Sequence, residues 1–240
     1  MSRNPDRQTT FHFKQFDVLN CKSAMKVSTD GVLLGAWADL KGKKHILDIG
    51  TGTGVIALMV AQRNHDAIIA AIEIDRIAAD EAQYNVDNSQ WSDRIEIING
   101  DFLDFYSGDK FDLIISNPPF FNSGIKAPDH SRATARHCDT LDYSDILSRA
   151  GDILTDSGSI ALVAPYDRLW DILHNASSNG LYATRITTVS GKPCKAPNRV
   201  LISLTVRPTS PISDSLIIRD ENDSYTQEYI ELTKDFYLKF

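Results

Sequence analysis

One short stretch, Asn117-Pro118-Pro119-Phe120, holds the residue types best suited to chemistry. It follows an apolar run, and proline has no N–H to give a sheet, so a buried strand must stop near Pro118. What remains at the strand's end is a side-chain amide, a fixed backbone carbonyl and two aromatic rings, Phe120 and Phe121. The Asn117 side-chain carbonyl and the Pro118 backbone carbonyl can each accept one N–H. An amino group conjugated to a ring is a poor nucleophile, because its lone pair is delocalised. Two acceptors fix that nitrogen, favour pyramidal geometry and turn the lone pair outward; they also stabilise the positive charge of an alkylated amine. Pro119 stiffens the turn, Phe120 can stack on a flat acceptor, and Phe121 can wall the pocket. The competing interpretation is an ordinary strand-ending turn with a core phenylalanine, since Asn-Pro is a common turn dipeptide. Position in the chain decides between the two.

A second stretch, "LDIGTGTGVIAL", sits where a ligand loop belongs. Gly50, Gly52 and Gly54 allow a sharp strand-to-helix turn and close approach of backbone to ligand. A dinucleotide fingerprint needs GxGxxG; here the spacing is GxGxG, and Asp48 stands two residues before the first glycine. An acid there repels a pyrophosphate and suits a cation, which favours a sulfonium-bearing cofactor over NAD. The pattern Asp-x-Gly-x-Gly-x-Gly resembles the first motif of class I S-adenosylmethionine-dependent methyltransferases. Glu73 closes the next strand about twenty residues on, where an acid accepts ribose hydroxyls. Asp75 competes for that role, but its place at a helix start makes it a cap. Asp101 in "NGDFLD" can accept from an adenine amino group, with Phe102 flanking the ring.

These residues need a frame that gathers strand ends. "HILDIG", "AIIAAIEID", "RIEIING", "FDLIISN" and "GSIALVAP" read as strands, separated by the helical "GVIALMVAQRN", "RIAADEAQYNVDNS" and "YSDILSRAGDIL". Such β–α alternation implies an α/β fold: a Rossmann-like, mostly parallel sheet with helices on both faces. "LYATRITTV" and "RVLISLTVRP" follow one another without a helix, which predicts an antiparallel edge hairpin. Residues 1–44 form a small N-terminal extension, with a possible hairpin in "FHFKQFDVLNC" and a helix opening at Ser28 or Thr29. Residues 45–240 form the main domain, and the chain is expected to be a single domain overall.

Composition narrows the classes. The chain has 240 residues, 42% of them hydrophobic, enough for a sizeable core. No apolar run approaches a membrane span, and "MSRNPDRQTT" lacks a signal-peptide core. Cys21, Cys138 and Cys194 form no CxxC pair, which implies free thiols in the cytoplasm and no metal site. The net charge of −7 is unevenly spread. Arg185, Lys192, Lys195, Arg199 and Arg207 lie in a stretch without acids, and such local patches suit phosphates.

The flanks suggest an acceptor. "MKVSTDGVLLGAW", "NPPFFNSG", "NRVLI" and the closing "YTQEYIELTKDFYL" together resemble the bacterial tRNA(Val) adenine-37 N6-methyltransferase family, from about Phe11 to the end of the chain. The resemblance implies a monomer of the class I methyltransferase fold that uses S-adenosylmethionine and methylates an adenosine amino group beside the anticodon of a valine tRNA. It places Lys26, Thr29 and Asp30 near the cofactor or the mouth of the site. Arg132 and Arg136, in a loop beyond the turn, and Lys192, Lys195 and Arg199, between two late strands, are then candidates for RNA contact, while His137 in the first of these loops reads as a solvated histidine. Asn-Pro-Pro-Phe turns also serve amino methylation of ribosomal RNA guanine and of protein glutamine, so the turn alone leaves the acceptor open. An NAD-dependent oxidoreductase and a catalytically silent binding module are the remaining alternatives; the glycine spacing speaks against the first and the intact turn against the second.

Overall fold

The computed structural model describes residues 9–23, 26–119 and 141–240. Phe120, Phe121, Arg132, Arg136 and His137 lie outside the described residues. A two-stranded antiparallel hairpin, β1 (Thr10–His12) and β2 (Asp17–Leu19), leads to helix α1 (Thr29–Trp37). The alternating core follows: β3 (His45–Ile49), α2 (Val55–Arg63), β4 (Ile68–Glu73), α3 (Arg76–Asp87), β5 (Ile95–Asn99) and β6 (Phe111–Ser116). After it come α4 (Tyr143–Ile153), β7 (Leu154–Pro165) and a 3-10 turn at Tyr166–Arg168. The chain closes with α5 (Leu169–Ser178), β8 (Tyr182–Ser190), β9 (Arg199–Thr205), β10 (Ile212–Ile217) and α6 (Gln227–Thr233).

The large sheet has the order β10-β8-β9-β7-β6-β3-β4-β5. Every neighbouring pair is parallel except β7–β9 and β8–β9, so β9 alone runs against the rest. The expected hairpin forms, but β10 adds parallel outside β8 and takes the edge. The carboxyl ends of the other seven strands, and the β8–β9 connection, therefore share one side of the sheet. Strand order reverses between β3 and β6, which opens a crevice at their carboxyl ends.

Alternate side chains of the central strands feed two cores. Ile46, Leu113, Ile115 and Val163 face α1 and α2, in a cluster that also takes in Phe13, Phe16 and Phe236. Leu47, Ile114, Ile160 and Leu162 face α4 and α5 on the other side. The extension before residue 45 is thus built into the first core. Helices α1 and α2 approach closely at Gly35, where a Cβ would lie 2.9 Å from the Met59 Sδ and 3.2 Å from its Cβ. Gly35→Val is expected to destabilise the protein by about 1–3 kcal/mol through overpacking. A urea titration should show a lower midpoint at an unchanged slope.

The hairpin and the chain's last residues are joined. Phe13 bridges Tyr237, and the Lys14 N–H donates to the Phe236 carbonyl at 2.8 Å. Phe13 stacks on Phe16 and Tyr237, with centroids 4.6 and 6.2 Å away.

Candidate active site

The loop after β3 is shaped by its glycines. Gly50, Gly52 and Gly54 have φ of 68°, 57° and 80°, in the left-handed region that favours glycine. The Gly50 and Thr51 N–H groups donate to the Ile72 carbonyl at 2.9 and 3.1 Å, pinning the turn against the end of β4. The Gly52 N–H donates to Glu73 Oε2 at 2.8 Å, and the Asp75 N–H to Glu73 Oε1 at 3.0 Å. Glu73 is thereby held beside the glycine loop. Asp75 caps α3, accepting from the Ile77 and Ala78 N–H groups, as its place at the helix start implied.

Asp48, next to the last residue of β3, lies behind this turn, wholly buried. Its Oδ2 accepts from the Thr51 hydroxyl at 2.6 Å, and among the described residues its Oδ1 has no hydrogen-bond partner. Burial pushes its carboxyl up to about 7 from an ordinary 3.8. The Thr51 hydroxyl and the Ala57 N–H act in the opposite direction, and the charge of Glu73 adds to the rise. A buried acid with an empty acceptor is costly alone and suited to a cation.

Asp101 follows β5, its Oδ1 accepting from the Leu103 N–H at 2.8 Å. Phe102 is buried, with the Arg149 guanidinium 5.2 Å from its ring centroid. Arg149 also donates to the carbonyls of Phe102, Leu103 and Phe105, so α4 fixes this loop.

Asn117 stands at the end of β6, beside the glycine loop. Ser116 ties the two strand ends together, its hydroxyl donating to the Ile49 carbonyl at 2.8 Å. Asn117 Oδ1 is buried and, among the described residues, accepts no hydrogen bond. The first turn of α1 lies against the same side chain: a Cβ on Gly31 would be 3.7 Å from Asn117 Nδ2. Pro118 is buried directly after Asn117, and Pro119 is half-buried.

The remaining predicted residues are spread along the same edge. Ser28 caps α1, accepting from the Gly31 N–H at 3.2 Å; Thr29 is exposed on the helix's first turn. Lys26 is exposed and donates to the Cys21 carbonyl at 2.8 Å. Arg199 Nε donates to Asp30 Oδ2 at 2.8 Å, joining β9 to α1. Lys192 pairs with Asp223 at 2.9 Å, and Lys195 is exposed in the β8–β9 loop. Sequence reasoning did not reach Gly31, Ser116, Glu81 or Asn85. Only the buried stripe Ala78–Ala79–Ala82 hinted that α3 turns an inner face toward the site.

Residues 23–169 match the methyltransferase small domain family. A tRNA1(Val) (adenine(37)-N6)-methyltransferase of Bacteroides thetaiotaomicron is 48% identical over 229 residues, spanning 95% of this chain and 97% of that protein. A protein of the same name from Porphyromonas gingivalis is 47% identical over 240 residues, spanning 95% and 94%. Among solved structures, a predicted O-methyltransferase of Agrobacterium tumefaciens superposes with a TM-score of 0.67 at 21% identity, covering 86% of this chain and 96% of that one. At that identity the likeness is one of fold.

Proposed function

Because the chain belongs to the tRNA1(Val) (adenine(37)-N6)-methyltransferase family, we propose that it methylates the exocyclic amino group of adenine-37 in the anticodon loop of a valine tRNA. The cofactor is S-adenosylmethionine, which when bound supplies an electrophilic methyl group on a sulfonium. The residues present fit it: Asp48 Oδ1, without a partner among the described residues, suits a cation, and three left-handed glycines leave the loop backbone bare at Gly50, Gly52 and Gly54. Asp48, Gly50, Gly52 and Gly54 would line its charged part. Glu73 would accept from its ribose, and Asp101 and Phe102 would flank its adenine.

The observation that carries the mechanism is the buried Oδ1 of Asn117, which has no partner among the described residues. It accepts one N–H of the target amine, and the Pro118 carbonyl accepts the other. Held in this way, the amine would turn its lone pair out of conjugation and toward the sulfonium methyl, whose C–S bond would break as the N–C bond forms, leaving a neutral thioether. The methylated nitrogen then bears positive charge, which the two carbonyls stabilise until a proton leaves to water. No strong general base is needed before transfer. An unpaired anticodon-loop base reaches such a pocket without breaking a helix. Phe120 and Phe121, outside the described residues, would give it stacking surface.

The edge beside Asn117 suits the RNA backbone. Lys192, Lys195 and Arg199 lie around the β8–β9 connection, on the same side of the sheet. Replacing Lys192 and Lys195 with alanine should raise KM for tRNA and leave cofactor affinity unchanged. Each lost phosphate contact should lower the salt slope of binding by about 1. The function itself is tested by methyl transfer to individual purified tRNAs, with the modified nucleotide mapped by mass spectrometry. Methyladenosine at position 37 of a valine tRNA is expected. A methyl group on ribosomal RNA guanine or on protein glutamine, with none on tRNA, would replace the acceptor.

A further inference from the structure

Helix α3 buries two polar side chains, one turn apart, that the chemistry above does not use. Glu81 is 3% exposed and receives three successive backbone N–H groups. Cys21 and Lys22 donate to Oε2 at 3.1 and 2.6 Å, and Ser23 to Oε1 at 3.2 Å. Asn85 is 2% exposed and brackets Leu19, the last residue of β2. Its Oδ1 accepts from the Leu19 N–H at 2.7 Å, and its Nδ2 donates to the Leu19 carbonyl at 3.0 Å and to the Thr53 carbonyl at 2.9 Å. Thr53 lies in the glycine loop between Gly52 and Gly54. One amide group therefore joins the N-terminal hairpin to the cofactor loop. Between the two polar residues, Ala82 packs on the loop; a Cβ on Gly54 would meet its Cβ at 3.5 Å.

The segment that Glu81 grips leads to the catalytic asparagine. The Val27 N–H donates to Asn20 Oδ1 at 3.1 Å, Ser28 then caps α1, and Gly31 lies against Asn117. A buried carboxylate is tolerated only where donors fill its lone pairs, and here the donors come from chain without regular structure.

We propose that Glu81 and Asn85 are positioning residues for cofactor binding: Glu81 fastens residues 21–23 to α3, Asn85 joins Leu19 to the glycine loop at Thr53, and together they hold both segments in the arrangement that receives S-adenosylmethionine. This rests on the cofactor assignment and is independent of which RNA is methylated.

The test is Glu81→Gln in the full chain, where an amide N–H₂ replaces one acceptor and faces a backbone N–H. Calorimetry should show Kd for S-adenosylmethionine raised about tenfold, the size expected of an unsatisfied buried group. The thermal midpoint of the ligand-free protein should stay within a few degrees and KM for tRNA within about twofold, a split that general unfolding would not give. Hydrogen exchange should quicken at the amides of residues 21–23, and in the wild type the cofactor should slow it there. Asn85→Asp replaces two donations with repulsion toward the Leu19 and Thr53 carbonyls and should raise Kd similarly. A wild-type Kd in Glu81→Gln despite faster exchange would overturn the proposal. So would amides at 21–23 that the cofactor does not protect in the wild type, a result that needs no variant to fold. A wild-type chain that binds S-adenosylmethionine yet methylates no tRNA would sink the RNA assignment and leave the latch standing.

Discussion

Asn117→Ala is expected to lower the rate of methyl transfer by about 10²–10³, in line with the loss of one preorganised polar contact to a charge-developing centre. Cofactor affinity should stay within about twofold of wild type, because the contact is made to the amine. Single-turnover kinetics, which exclude product release, are the proper measurement. Stability should move the other way. Among the described residues Asn117 Oδ1 is buried without a partner, so removing it removes an unsatisfied acceptor. The alanine variant is expected to melt at or above the wild-type temperature while being nearly inactive. Asn117→Asp keeps an acceptor oxygen in place and should retain more activity than Asn117→Ala. Full activity in the alanine variant would refute the role given to the amide.

Cofactor affinity should be about tenfold weaker at pH 6 than at pH 8, through Asp48. Burial pushes its carboxyl up to about 7 in the free protein, so at pH 6 it is mostly protonated. A cation beside it favours the carboxylate, and binding must then expel the proton. Calorimetry in buffers of different ionisation enthalpy should register close to one proton released at pH 6 and almost none at pH 8. The ligand-free fold has the opposite preference. Its carboxyl titrates above the ordinary 3.8, so its contribution to stability is fully present below about pH 4 and lost as pH rises through about 7. Asp48→Asn should flatten both profiles, weakening binding at pH 8 while raising the melting temperature there. A Kd that does not change with pH in the wild type would show that Asp48 does not meet the charge.

The chemistry of the site was legible where a residue's role follows from its neighbours in sequence. The glycines of the loop after β3 and the Asn-Pro-Pro turn after β6 declare their backbone geometry locally. Asp75 read as a cap because helix starts have a local signature. The edge of the sheet was less legible. "DSLIIRD" reads as a strand, but nothing within it says that it pairs with β8 and encloses the hairpin, since sheet neighbours are chosen by tertiary packing. Glu81 and Asn85 were hidden for a related reason. On a helix of mean polar character they look like solvent-facing residues, and their partners lie 58 to 66 and 32 residues away. Lys192 and Arg199 read as free positive charge, yet Asp223 and Asp30 meet them from distant parts of the chain.

The junction of the hairpin with the residues after α6 has a consequence for synthesis. Phe236 and Tyr237, which wall Phe13, leave the ribosome more than two hundred residues after it. At about 5–20 residues per second, the first core stays open for roughly ten to forty seconds of translation. During that time Phe13 is without its final cover, and a nascent chain stalled before residue 236 leaves it exposed. Residues made more than two hundred positions later are thus the ones that close this corner of the first core.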